Sequence, residues 1–179
     1  MYKPQIAIIG ARELSEKSLA LVRALAHELV SNGYRTVTGG LGSLQEAVHQ
    51  GAKSNPLHTD CDTIVLLPGF DPEPALGYAD VIIPTGLDAY RNAMVANAEV
   101  VIAVGGGAGT LSEMAFAWQF NRPIIAIGLE GWASKLAGET LDHRHSNQII
   151  DCTESAPEEI LAEVDDVIRQ NRQRHTGIS

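Results

Sequence analysis

Two segments of this chain can be laid over one another letter by letter, and both have a composition suited to holding an anion. Gly39-Gly40-Leu41-Gly42-Ser43-Leu44-Gln45-Glu46 reads G-G-x-G-S-L-x-E, and Gly106-Gly107-Ala108-Gly109-Thr110-Leu111-Ser112-Glu113 reads G-G-x-G-T-L-x-E. Each follows an apolar run of strand length and opens a stretch of helical periodicity. Glycine permits positive φ and lets a ligand approach the main chain with no Cβ in the way. The unpaired N–H groups and the dipole of a helix start then attract negative charge. Ser43 and Thr110 can each add a hydroxyl donor. Gly39, Gly40, Gly42, Gly105, Gly106, Gly107 and Gly109 are therefore candidate phosphate-binding positions, joined by Gly10 at the end of the first apolar run. Neither loop is a P-loop, since the Gly-Lys-Ser/Thr ending is missing, and neither completes the G-x-G-x-x-G dinucleotide fingerprint.

Charged side chains lie close to these loops in sequence. Glu113 is one turn into its helix. It either complements the helix dipole or stands beside the ligand as a hydrogen-bond acceptor or general base. Arg91 begins a helix just before the strand that feeds the second loop, so its guanidinium can reach a phosphate or carboxylate; a surface ion pair is the plainer alternative. Asn92 follows it, and Arg12 stands just past Gly10. His143 and His145 flank Arg144 and could offer two metal ligands, but no third is evident, and a solvated loop is the simpler reading. His58, Asp60, Cys61 and Asp62 form a second polar group, read the same way. Cys61 and Cys152 are far apart and read as buried small hydrophobes, not as a disulfide or part of a zinc site. No metal site is expected.

The elements that must position these residues alternate almost to the end of the chain. Residues 5–9, 34–38, 63–67, 80–83, 100–104 and 123–127 read as strands, and 148–151 as an edge strand. Helices are expected from Ser15 to Gly33 with a core face of Leu19, Val22, Leu25, Ala26 and Leu29, and then to about Gln50. Further helices are expected over 89–98, over 109–121, and from a capping box at Ser155 and Glu158 onward. That last helix would bury Ile160, Val164, Val167 and Ile168, and the tail from Arg172 to Ser179 would fray. Residues 71–78 read as a loop, and 128–146 as irregular. Strands apolar throughout and separated by helices describe a doubly wound, mostly parallel, Rossmann-like α/β sheet with helices on both faces. In such sheets ligands sit at the carboxyl ends of the strands, where strand order reverses.

The bulk numbers fit this reading. A chain of 179 residues suits a single domain over 1–179. Its formal net charge is −9 and no basic stripe is present, so nucleic acid is not an expected partner. A small anionic ligand is still compatible, because backbone N–H groups bind phosphate whatever the overall charge. No apolar window is long enough for a membrane span, and the opening MYKPQIAIIG lacks a signal-peptide pattern. A cytoplasmic protein is expected.

From residue 63 to 127 the chain resembles the "lonely guy" (LOG) family and its relatives, often misnamed lysine decarboxylases. The segments that carry the likeness are IVLLPG, DVIIPTGLDAYRN and VVIAVGGGAGTLSEMAFAWQFNRPIIAI, with VTGGLGSLQEAVHQGA upstream. LOG enzymes cleave the N-glycosidic bond of cytokinin nucleoside monophosphates with P-G-G-x-G-T-x-x-E and an upstream Arg-Lys pair. Glu113 occupies the motif's Glu, Gly105 stands where it has proline, and without a gap Arg91 falls on its Lys and Tyr90 on its catalytic Arg. The triple glycine, the IPTG run and the Arg91-Asn92 pair look more like a sister branch, the molybdenum cofactor carrier proteins. The segments at Gly131-Trp132-Ala133 and Leu141-Asp142-His143-Arg144 are similar to that branch as well, less specifically. This resemblance implies a non-enzymatic binding protein whose cargo is molybdenum cofactor or a related phosphorylated pterin, and a homodimer or homotetramer. The alternative it implies is a LOG-like phosphoribohydrolase of nucleoside 5′-monophosphates, with Glu113 and Arg91 as catalytic residues. A sensor or scaffold using the same pocket for a nucleotide signal ranks third. Pyridoxal-dependent decarboxylation is excluded by chemistry, because none of Lys3, Lys17, Lys53 and Lys135 lies in a glycine loop or in residues 90–97.

Overall fold

The computed structural model describes residues 2–145 and 147–171. The tail expected to fray lies outside the described residues. Seven strands form one sheet among them: β1 (Gln5–Gly10), β2 (Arg35–Thr38), β3 (Thr63–Leu67), β4 (Val81–Pro84), β5 (Val100–Val104), β6 (Ile124–Ile127) and β7 (Ile150–Cys152). Their order is β4-β3-β2-β1-β5-β6-β7, and every neighbouring pair is parallel. The chain winds outward from β1 through β2, β3 and β4, then returns to the other side of β1 as β5. Strand order therefore reverses between β1 and β5, where Ile6 to Gly10 pair with Val100 to Val104.

Strand composition explains the layers. Side chains alternate across a strand, and β1 and β5 are apolar on both faces, as a covered parallel sheet requires. Ile6 and Ile8 of β1, with Val100, Ile102 and Val104 of β5, pack on one face against α1 (Glu16–Ser31), α2 (Ser43–Lys53) and α6 (Pro157–Asn171). Ala7 and Ile9, with Val101 and Ala103, face α3 (Asn92–Val95), α4 (Ala108–Gln119) and α5 (Gly131–Leu136). The expected core faces of α1 and α6 are both buried in the first of these layers. Ser15 caps α1, its hydroxyl accepting from the Ser18 N–H.

Four local expectations are corrected. Residues 89–98 do not form one helix. Asp88 has φ 50 and donates its N–H to the Pro68 carbonyl, which starts a 3-10 turn at Asp88–Arg91 and leaves α3 a single turn. The last strand is Ile150–Cys152, because Ile149 exchanges backbone hydrogen bonds with Gly138 and Glu139 and not with β6. α6 begins at Pro157, and Glu159 Oε2, not Glu158, accepts from the Ala156 N–H at 2.8 Å. Proline suits the first helical position because its missing N–H is unpaired there anyway. The stretch expected to be irregular contains α5, too short at six residues to show a periodicity.

α5 is seated directly on the glycine loop that follows β5. The N–H groups of Trp132 and Ala133 donate to the Gly106 and Gly105 carbonyls, at 3.1 and 3.0 Å. Gly131 has φ 63, and a Cβ there would lie 2.4 Å from the Gly105 carbonyl carbon. Gly131→Ala should therefore unseat α5 and lower stability by about 2 kcal/mol or more, measured by urea denaturation. An unchanged midpoint would mean that this contact does not constrain the loop.

Candidate functional site

A cleft of about 370 Å³ opens at the carboxyl ends of β1, β2 and β3 and the start of α4, at the point where strand order reverses. Its floor is formed by Gly10, Gly39 and Gly40, and one side by Gly107, Gly109, Thr110 and Glu113 of the second glycine loop and helix. Gly105 and Gly106, with φ 61 and 93, make the turn and give their carbonyls to α5, so they stand behind the cleft instead of lining it. The first intrahelical bond of α4 runs from the Leu111 N–H to the Gly107 carbonyl, and among the described residues no side chain caps the helix. The N–H groups of Ala108, Gly109 and Thr110 are thus left without intrahelical acceptors at the cleft. A Cβ on Gly107 or Gly109 would meet nothing within 4 Å. Glycine at these positions keeps the space in front of the helix start open.

Arg91 crosses beneath this loop and is not a surface residue. Its Nη1 donates to Glu113 Oε1 at 2.9 Å, and the two residues are only 7% and 6% exposed. A Cβ on Gly39 would lie 2.2 Å from Arg91 Nη1, so the bare backbone at the end of β2 is what admits the guanidinium. Burial raises the Glu113 carboxyl to about 7, outweighing the Arg91 charge and hydrogen bond that pull it down. Burial also lowers the Arg91 guanidinium from its usual value, opposed by Glu113 and reinforced by the nearby Arg12. The Arg91 Nε is buried and has no partner among the described residues. Asn92 lines the cleft, but its amide donates to Ser112 Oγ at 2.8 Å, which in turn donates to the Gly109 carbonyl. Asn92 therefore steadies the first turn of α4.

The first glycine loop is built differently from its sequence twin. Gly39 and Gly40 line the cleft, whereas Gly42 and Ser43 do not. The Ser43 N–H and hydroxyl both donate to the Arg12 carbonyl, at 2.9 and 3.2 Å, and a Cβ on Gly42 would lie 2.0 Å from that oxygen. This corrects the expectation that Ser43 offers its hydroxyl to an anion: it anchors the segment after β1, which puts Arg12 on the cleft rim. Gly10 allows β1 to pass β5, since its Cβ would sit 2.4 Å from the Val104 carbonyl.

Sequence reasoning missed Thr38 and Gln45. Both line the cleft, are 3% and 5% exposed, and carry a side-chain oxygen with no partner among the described residues. Gln45 occupies a variable letter of the loop pattern and Thr38 ends a strand, so neither position signals chemistry. The outlying candidates lie elsewhere. His145 packs edge-on to Trp118 at 5.8 Å, and Trp118 Nε1 donates to Asp142. His58 pairs with Asp80 at 3.0 Å and Lys3 with Asp62 at 2.6 Å. Cys152 is buried as expected, but Cys61 is exposed, because it lies in the turn that Asp62 closes by accepting from Thr59.

A model of the family described as SLOG cluster4 matches residues 3–161. An uncharacterized protein of Archaeoglobus fulgidus is 29% identical over 124 residues, which cover 69% of this chain and 79% of the relative. The structure of the molybdenum cofactor binding protein from the phototrophic bacterium Rippkaea orientalis is 28% identical. The match covers 94% of this chain and 99% of that one, with a TM-score of 0.78. The molybdenum cofactor carrier protein of Chlamydomonas reinhardtii is 31% identical over 69% of this chain and 75% of that one, with a TM-score of 0.57.

The raised Glu113 carboxyl has a measurable sign. Its folded value of about 7 exceeds the ordinary 4.5, so the proton is held more tightly in the folded chain. The resulting stabilisation is complete below pH 4.5 and lost as pH rises through about 7. Relative to Glu113→Gln, which cannot titrate, wild-type stability by urea denaturation should therefore decline across that interval. Parallel pH profiles would show that burial does not hold the carboxyl up.

Proposed function

The chain belongs to the SLOG cluster4 family, and on that premise we propose that it binds and carries molybdenum cofactor or a related phosphorylated pterin in this cleft. The observation that carries the reading is the uncapped start of α4, whose unpaired N–H groups open on the cleft across bare Gly107 and Gly109. A phosphate seated there accepts from the backbone, with Arg91 and Arg12, which also line the cleft, adding positive charge. Gly39, Gly40 and Thr110 shape the same seat, and Gly105 and Gly106 set its turn. The fit to the Rippkaea orientalis molybdenum cofactor binding protein over nearly the whole chain supports the same cargo.

One observation favours a second reading, hydrolysis of nucleoside 5′-monophosphates. A carboxyl held at about 7 is suited to proton transfer near neutrality, and Glu113 is such a group. Against it, that carboxylate already accepts from Arg91, and a binding protein needs the pair only to hold the charge of its cargo. The protein acts in the cytoplasm as a homodimer or homotetramer in this proposal. Phe70 and Tyr90, each 82% exposed, supply apolar surface for self-association. Among the described residues no helix is long and apolar enough to cross a membrane.

Mass spectrometry of the material that co-purifies should find a pterin phosphate, and titration should give tighter binding of molybdenum cofactor than of AMP. Release of free base from AMP, lost in Glu113→Gln, would establish the hydrolase instead. Gly107→Val should abolish binding without altering the circular dichroism spectrum, because the new side chain fills the approach. Arg91→Ala should weaken binding by about 1.5–3 kcal/mol, the worth of a charged hydrogen bond.

Salt separates local from bulk electrostatics. The net charge of −9 repels an anion at long range, a repulsion screened over about 8 Å at physiological ionic strength. N–H groups and Arg91 in direct contact are screened far less. Calorimetric affinity should hold steady or rise slightly between low and moderate NaCl. A steep monotonic loss would indicate a basic-patch mechanism.

A further inference from the structure

We propose that Gln45 reads the ring end of the ligand, accepting a hydrogen bond from an N–H on the edge of a phosphorylated heterocycle. The inference rests on the reading of the cleft as a phosphate-ligand site and names what lies beyond the phosphate. Gln45 is in the first turn of α2, on the opposite side of the cleft from α4, and is only 5% exposed.

Its amide orientation is determined by its neighbour. One end of the amide lies 3.2 Å from the carbonyl of Pro74, in the loop between β3 and β4. A carbonyl only accepts, so the group facing it must be the amide nitrogen. The other end is then Oε1, an acceptor. It is buried and receives no hydrogen bond from a described protein group. An unmet buried acceptor is costly, and Gln45 cannot relieve it by flipping without setting its oxygen against the Pro74 carbonyl. In this proposal a ligand N–H supplies the missing donor.

A second observation points the same way. Thr38, at the end of β2, lines the cleft at 3% exposure, and its Oγ1 also has no partner among the described residues. A hydroxyl both donates and accepts, so Thr38 can take either a donor or an acceptor from the same ligand. The phosphate groups of the ligand cannot supply the donor for Gln45, because an ionised phosphate brings acceptors and no N–H. The two ends of the cleft therefore differ in kind: donors at α4 for the anion, and an obligate acceptor on α2 for the ring. Amino-pterins and adenine both carry an N–H edge of this type.

The test uses the full chain, three probes (orthophosphate, hydroxymethylpterin monophosphate and AMP) and calorimetry. Gln45→Met keeps the side-chain length and removes the acceptor. It should lower affinity for the ring-bearing probe about tenfold or more and leave orthophosphate affinity unchanged. A ligand-side control needs no variant: methylating every ring and amine N–H of the bound probe should weaken it for the wild type by a similar factor, and should not matter to Gln45→Met. Preference for the pterin or for AMP identifies the ring class. The inference is overturned if neither ring probe binds the wild type more tightly than orthophosphate. It is also overturned if the ring probe is indifferent both to Gln45→Met and to methylation. Failure of orthophosphate and both ring probes to bind would instead remove the phosphate reading of the cleft on which it rests.

Discussion

A helix cannot satisfy the N–H groups of its own first turn, and in this protein the start of α4 is left uncapped at the centre of the fold. Much of the surrounding structure follows from keeping that arrangement. The carbonyls of Gly105 and Gly106 are turned away and absorbed by α5, which fixes which side of the loop presents donors. α5 is itself held at its start, where Glu130 accepts from Ser15 and Ser18 of the α1 cap. Asn92 and Ser112 brace the first turn from the other side. The donors are therefore preorganised before any ligand arrives, and binding need not order the loop.

Beneath the loop, burial and charge act against one another. Arg91 and Glu113 lie where water hardly reaches, and for Glu113 desolvation wins over the neighbouring cation. Isolated, either charge would be expensive in such a place; as a pair they are tolerable, although such a pair adds little to stability. What the pair provides is a guanidinium held against the end of β2 at a defined height, with its Nε still unpartnered. The protein's overall negative charge is irrelevant at this range.

Much of this was legible in the sequence. β1 and β5 read as buried strands because their residues are apolar on both faces, and the helix faces of α1 and α6 followed from periodicity. The second glycine loop, Glu113 and Arg91 were recognisable from residue type and spacing. Other features depend on long-range contacts that no local pattern encodes. Ser43 looks identical to Thr110 in its motif, yet it is consumed by Arg12 from a different strand end. The single turn of α3 is set by Asp88 against Pro68, and α5 by the loop it sits on. Thr38 and Gln45 became visible only through what they lack, a partner for one atom each.

The strand order has a consequence in time. β1 and β5 are neighbours in the sheet, Gly10 beside Val104, although almost a hundred residues of chain separate them. Contacts so distant in sequence are slow to form, because the entropy of closing the intervening chain must be met first. The first glycine loop and the start of α4 come to share one cleft only when β5 pairs with β1. Occupancy of the cleft therefore reports that this one long-range pairing has formed, because every lining residue lies between Ile8 and Glu113.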